Sequence, residues 1–344
     1  MSTDNHKLSI SHSANLDDTG FLSFFETYLC DLLDQFDEPV RKLAKNVTLC
    51  GGKRIRPLLC FQCGSINPKA TKDLLKASSI LELVHVATLV HDDMLDSANI
   101  RRGRLTTHSF AGEHTAVLLG DALFSFALEL ATEFPNSFIC RSVAKSTRIT
   151  CSGEILQNCS KGNYNLQLCE YYNFIQDKTG ELFKSSCQIG AYLGGHCDKT
   201  IELVGEFGLS LGINYQIYDD LIDSFGNKSI SDKTLGTDFA AGKLTLPLIL
   251  LLKSVSAELR NDLTKSLSDI SAIDKNFLIN QMEENCILDK CIAELNLHTT
   301  NLKLICESIP QPDLSSKLIN FINSFRHKLE NLQDLKTSNF LAVH

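Results

Sequence analysis

The chain has 344 residues, 43% of them hydrophobic, which is enough for a sizeable core in one large or two ordinary domains. A formal net charge of -8 argues against a nucleic-acid partner, which would need a basic surface. The thirteen cysteines are odd in number and irregularly spaced, and no secretion signal precedes them. Cys60 and Cys63 sit in an apolar run with no second pair at zinc spacing, so the expectation is buried thiols in a reducing, cytoplasmic compartment.

Met1 to Gly20 is polar, with Asp4, Asp17 and Asp18 and no Arg, as expected of a disordered tail rather than a signal or transit peptide. Phe21 to Ala44 carries apolar residues at three-and-four spacing, the helical period. The same period predicts helices over Ala77 to Asp96, Thr115 to Thr132, Arg148 to Gln157, Cys169 to Gly194, Ile201 to Phe225 and Pro247 to Leu252. Phe277 to Cys286 and Leu318 to Leu332 continue it in more polar sequence. Gly and Pro fall between these segments, at Gly51-Gly52, Pro57, Gly112, Pro135, Gly194-Gly195 and Gly226. No alternation is long enough to predict a sheet, no stretch suggests a linker, and no apolar run predicts a transmembrane segment. The expected organisation is a polar tail over 1–20, a single all-α domain over 21–333 and a loose tail over 334–344.

Two apolar helices end in the same acidic pentad, Asp92-Asp93-Met94-Leu95-Asp96 and Asp219-Asp220-Leu221-Ile222-Asp223. Asp92 and Asp96 share a helix face one turn apart, as do Asp219 and Asp223. One such pentad is ordinarily a solvated face. Two, each closing an apolar run, suggest a shared hard cation, most naturally Mg2+ carrying a phosphorylated substrate. For them to share it, the helices must surround one central cavity.

Basic residues gather where an anion would be wanted. Gly51-Gly52-Lys53-Arg54-Ile55-Arg56-Pro57 sets three cations behind two glycines. Arg101-Arg102-Gly103-Arg104 follows the first pentad and is either a salt-bridge network or the diphosphate half of a metal-diphosphate site. Lys178 and Thr179 interrupt a helix just before Gly180, and Lys233 and Lys243 follow the second pentad. A loop lysine usually serves solubility, but these flank the candidate metal site.

In order, GGKRIRP, HDDMLDSANIRRGR, Gly120-Asp121, GEILQ from Gly153, DKTGELF from Asp177, YQIYDDLID and GTDFAAGKLTLP closely resemble the motifs of the trans-prenyltransferases, the all-trans polyprenyl diphosphate synthases. The match runs from about Gly51 to Pro247. The ends match less well; only Arg326-His327-Lys328 could stand in for the family's basic C-terminus.

The resemblance implies an isoprenoid-synthase-type helical bundle around a deep central cavity and condensation of an allylic diphosphate with isopentenyl diphosphate. Asp92, Asp93, Asp96, Asp219 and Asp223 would hold about three Mg2+ ions. Arg101, Lys178, Lys233 and Lys243 would bind the leaving diphosphate, and Thr179 and Gln216 would stabilise the allylic cation. Lys53, Arg56, His85 and Arg102 would hold isopentenyl diphosphate. Asp220 matches the motif but could bond a water or a lysine instead of metal.

A growing chain should run from the aspartates back along the preceding helix, past Thr88 and Ala87, both small. On the next helix Asp121, Phe124, Ser125, Leu128 and Ala131 share a face, and Phe124 or Leu128 could form a floor with depth left at Ala131. With no aromatic plug before the pentad, the expectation is a homodimeric long-chain synthase for a quinone side chain, touching membrane transiently to release product. A geranylgeranyl or farnesyl diphosphate synthase is the alternative within the class; a non-catalytic subunit of a heteromeric prenyltransferase is the alternative outside it. A terpene cyclase is disfavoured by the intact second Asp-Asp pair.

Overall fold

The computed structural model describes residues 16–226, 236–268, 274–330, 332 and 335–337. Helix α1 (Asp18–Leu33) starts inside the expected tail because the Asp17 carboxylate accepts the Gly20 N–H at 2.8 Å, an N-cap. Phe21, Phe25, Leu29, Leu32 and Leu33 form its buried stripe. The periodic run expected to Ala44 breaks at Asp34–Pro39, since a proline cannot donate into a continuing helix, and resumes as α2 (Val40–Thr48). Helix α3 (Ile55–Gly64) follows the Gly51-Gly52 turn, and α4 (Thr71–Leu95) follows a single 3-10 turn.

Helix α4 is apolar nearly all round and correspondingly buried; it is the axis of the first half of the molecule. A two-residue hairpin, β1 (Ile100–Arg101) with β2 (Arg104–Leu105), then leads through α5 (Thr107–Ala111) into α6 (Glu113–Thr132). This antiparallel pair was not expected from the sequence, being too short to show alternation. Helix α7 (Ser137–Cys159) runs back along α6.

Next come α8 (Leu168–Ile175), a π turn over Gln176–Gly180, and α9 (Glu181–Leu193), where one helix was expected from Cys169 to Gly194. Helix α10 (Asp198–Phe225) is packed closely on α9; a Cβ at Gly208 would come 2.7 Å from the Phe183 carbonyl oxygen. The second half continues through α11 (Thr237–Ala240), α12 (Leu246–Ser254), α13 (Ala257–Leu267), α14 (Lys275–Glu284), α15 (Ile287–Glu307) and α16 (Pro312–Glu330). Beyond α16, Leu332 and Leu335 pack into the core, so the domain reaches past the expected boundary at 333.

Three apolar clusters hold the bundle. One lies around α1, α4 and α6, one around the C-terminal half of α10 with α12 to α15, and one between α3, α9, α10 and α16. All thirteen cysteines are free thiols, Cys60 and Cys63 among the fully buried ones. Contrary to expectation, two helical stretches, Pro68–Leu95 and Glu113–Thr132, are long and apolar enough to cross a membrane by length and composition. The first is mostly buried inside the protein, while the second is less than half buried.

Candidate active site

The C-terminal ends of α4 and α10 carry the two pentads, so both acidic groups stand where unpaired backbone carbonyls already make the field negative. A chain of polar contacts joins them. Lys243, 3% exposed, lies 2.7 Å and 3.0 Å from the two carboxylate oxygens of Asp96 and 3.8 Å from Asp238. The Asp238 N–H donates to Asp223 at 3.2 Å, and the Thr237 N–H and hydroxyl donate to the same carboxylate. The first motif therefore faces the second across a buried lysine.

Lys178 reaches the site from the π turn, which shifts its register against α8 and α9. It pairs with Glu154 and donates to Gln157 at 3.1 Å, both on α7. Helix α7 can pass this close to the π turn because of Gly153, where a Cβ would lie 2.6 Å from the Lys178 backbone nitrogen. Burial lowers the Lys178 ammonium's affinity for its proton, but Asp92 and Glu154 more than offset that and leave it raised.

Asp92 and Asp93 part company, because successive residues on a helix point about 100° apart. Burial pushes the Asp92 carboxyl up to about 6, with Lys178 opposing and Glu154 and Asp96 adding to the rise. Asp93 is 6% exposed and accepts from Arg101 Nε at 2.6 Å. It was expected to ligate metal with the other four; here its carboxylate is paired with Arg101. Arg101 in turn is anchored beside the pentad.

Asp220 is turned inward. It accepts from Gln216 Nε2 and from the Tyr171 hydroxyl, both at 2.8 Å, and burial followed by Asp238 raises it to about 8. Gln216 Oε1 accepts from Thr179 at 2.7 Å, so the two residues expected at the allylic cation are in contact. Burial and Asp238 raise Asp223 to about 6 against its hydrogen bonds from Thr237 and Asp238. Asp219 lies near enough to Arg56, Tyr215 and Tyr218 to act on their ionisation.

The basic lobe is built on the start of α3 and the middle of α4. Arg56 lies over the Phe183 ring at 4.5 Å, its buried Nε has no hydrogen-bond partner, and burial lowers it to about 10. An anion is what such an orphaned donor lacks. Lys53 is exposed, with Nζ 3.4 Å from the Tyr215 hydroxyl. Arg102 donates to the Gly51 carbonyl and closes against Gly52. His85 is held well below its ordinary value by burial and then by Arg56, Arg102, Arg101 and Arg54. Arg54, between the two, is spent on the fold: it pairs with Glu82 at 2.6 Å and Glu26 at 2.7 Å.

The tail-path residues divide. Ala87 and Ala131 are fully buried in the α4–α6 core. Thr88, Phe124 and Leu128 are half-buried; the Thr88 hydroxyl donates to the His85 carbonyl at 2.7 Å, and the Phe124 ring lies 5.8 Å from His91. Lys233 lies outside the described residues. Glu154, Gln157, Asp238 and Tyr171 were not assigned from the sequence; GEILQ and GTDFAAGK contained three of them, but their partners are remote in the chain.

The donor set is all carboxylate oxygen, with more negative than positive charge around Asp92, which suits a hard divalent cation. Among the described residues no three carboxylate, imidazole or thiolate groups converge into a ready-made metal cage. Lys243 and Lys178 hold carboxylates that would otherwise repel one another.

The polyprenyl synthetase family profile matches residues 37–280. An all-trans-nonaprenyl-diphosphate synthase (geranyl-diphosphate specific) from Rhodobacter capsulatus is 30% identical over 285 residues, 82% of this chain and 86% of that protein. A geranylgeranyl diphosphate synthase from Methanosarcina mazei is 33% identical over 217 residues, covering 62% and 67%. The crystal structure of a polyprenyl synthase from Caulobacter crescentus, complexed with calcium and isoprenyl diphosphate, superposes with a TM-score of 0.78 at 28% identity, covering 87% of this chain and 92% of that one. Relatives thus span several product lengths, and divalent-metal dependence is a property of the family. On the family match and the all-α isoprenoid synthase fold together, the chain is a prenyltransferase and belongs to the polyprenyl synthetase family.

Proposed function

We propose that this prenyltransferase is a Mg2+-dependent, homodimeric, cytoplasmic synthase of a long all-trans polyprenyl diphosphate, of the kind used for quinone side chains. The observation that carries it is the pairing of two facing acidic helix ends with a separate arginine-rich lobe, which suits two diphosphates of different fate. Asp92, Asp96, Asp219 and Asp223 would hold Mg2+, which when bound would neutralise charge on the leaving diphosphate. Lys178, Lys243 and Arg101 add positive charge to that diphosphate as its bond to the allylic carbon breaks. Lys53, Arg56, Arg102 and His85 hold isopentenyl diphosphate with its double bond toward the cation. Thr179 and Gln216 offer oxygens beside the cation, and the proton lost after carbon–carbon bond formation leaves with the released diphosphate.

The half-buried Thr88 one turn before Asp92, with no large aromatic there, supports a long product, as does the broad coverage of the nonaprenyl relative. Contact with membrane would then help release a product too apolar for water. The test is chromatographic sizing of products from labelled isopentenyl diphosphate, Mg2+ and several allylic primers. Wild type should give products well beyond four isoprene units, and Thr88→Phe should shorten them while early condensations stay fast. A four-unit limit for wild type would favour the geranylgeranyl reading; no turnover without a second chain would favour a heteromeric subunit.

A further inference from the structure

We infer that Tyr171 is a positioning residue for prenyl transfer: through Asp220 it fixes which end of the Gln216 side-chain amide faces Thr179. The inference rests on the prenyl-transfer role given to Gln216 above. Amide oxygen and nitrogen look alike in outline, so only a hydrogen-bond network decides which way a glutamine points. Here Asp220 decides, since the Thr179 hydroxyl can donate or accept and would suit either end of the amide. The Asp220 carboxylate oxygen, an acceptor, takes the amide nitrogen at 2.8 Å, and the Thr179 hydroxyl donates to the amide oxygen at 2.7 Å.

The orientation matters because a cation beside the amide is attracted by its oxygen and repelled by its N–H edge. Asp220 engages the amide N–H, leaving the oxygen for the Thr179 side of the site. Asp220 can do so only while its plane is held, and the Tyr171 hydroxyl holds it by occupying the other carboxylate oxygen at 2.8 Å. Tyr171 itself is fully buried at the start of the segment that runs through the π turn to Thr179, so one stretch of chain supports both ends of the network.

Without the Tyr171 hydroxyl, a buried Asp220 oxygen loses its partner, and the carboxylate turns to find another. The Gln216 amide is then free to rotate. Full-length wild type and Tyr171→Phe, which keeps the ring, should be compared with an allylic diphosphate, isopentenyl diphosphate and Mg2+ under single-turnover and steady-state conditions. We expect kcat to fall about tenfold or more, with KM for both substrates within roughly twofold and thermal midpoints close. Adding Tyr171→Phe to Gln216→Ala should then cost no further rate, because the effect passes through Gln216. A second loss of the same size in that background, or an unchanged kcat in the single variant, would overturn the inference. So would a crystal structure of Tyr171→Phe in which Asp220 and Gln216 keep their hydrogen bonds. Absence of condensation by wild type would instead count against the prenyl-transfer reading.

Discussion

Asp92 and Asp93 show how much one helical step of about 100° decides. The first faces other carboxylates and keeps its proton up to about 6; the second is tied to Arg101. The sign of the resulting pH dependence follows from linkage. Between the ordinary value of 3.8 and about 6, folded Asp92 holds a proton that the unfolded chain has released. Stability therefore falls as pH rises through that window, and the full penalty is present above it. For metal-free protein we expect Asp92→Asn to be more stable than wild type at pH 7 by about 1–2 kcal/mol, or ~2–4 °C in thermal midpoint. The gap should close as pH falls toward 4.5, and added Mg2+ should raise the wild-type midpoint more than the variant's. Thermal melts across pH decide it; equal midpoints at pH 7 would mean Lys178 already neutralises Asp92.

Helix α4, α6 and α10 were legible in the sequence because long apolar stretches at helical period end in recognisable groups. Helix α3 and the first half of α7 were not. Serines, threonines and single basic residues interrupt α7 between Ser137 and Thr147, and α3 is too short to show a period against its mixed residues. The π turn was invisible for another reason: it is fixed by contacts to α7 and α10, remote in sequence. Close helix crossings of this kind predict sharply different costs for chemically identical changes. At Gly190, in the interior of α9, a Cβ would run into the Cys60 carbonyl of α3, backbone against backbone. Gly190→Ala should therefore cost about 2–4 kcal/mol despite the ~1 kcal/mol that alanine usually gains in a helix. Gly162→Ala has nothing within 4 Å and only its φ of +74° to strain, so about 1–2 kcal/mol is expected. Urea denaturation of the two variants compares them directly. If Gly190→Ala proves the milder, α3 and α9 are not locked at that point.

At the scale of the whole molecule, the two pentads announced a shared site, but the sequence could not show what holds them together. Asp96, Lys243, Asp238 and Asp223 form the link, and only the folded chain brings Asp96 to Lys243. The outward face of the same region carries a further consequence. Helices α6 and α7 run antiparallel, so the start of one lies toward the end of the other, and both expose large apolar residues there. Leu118 is 68% exposed and Ile155 is 62% exposed, with Val117 and Leu156 beside them. Apolar surface of this extent is costly in water and is ordinarily covered. A second copy of the chain, meeting the patch about a twofold axis, would cover it with an identical patch. We expect sedimentation to give wild type at twice its 38.2 kDa and Leu118→Glu, which buries a charge at the centre of that contact, at the single-chain mass. Because the pentads lie at the inner ends of α4 and α10, the monomeric variant should keep its diphosphate-binding lobe and lose activity only as far as the site depends on α6 and α7 being held. A wild-type monomer that floats with lipid vesicles would assign the patch to a membrane surface instead.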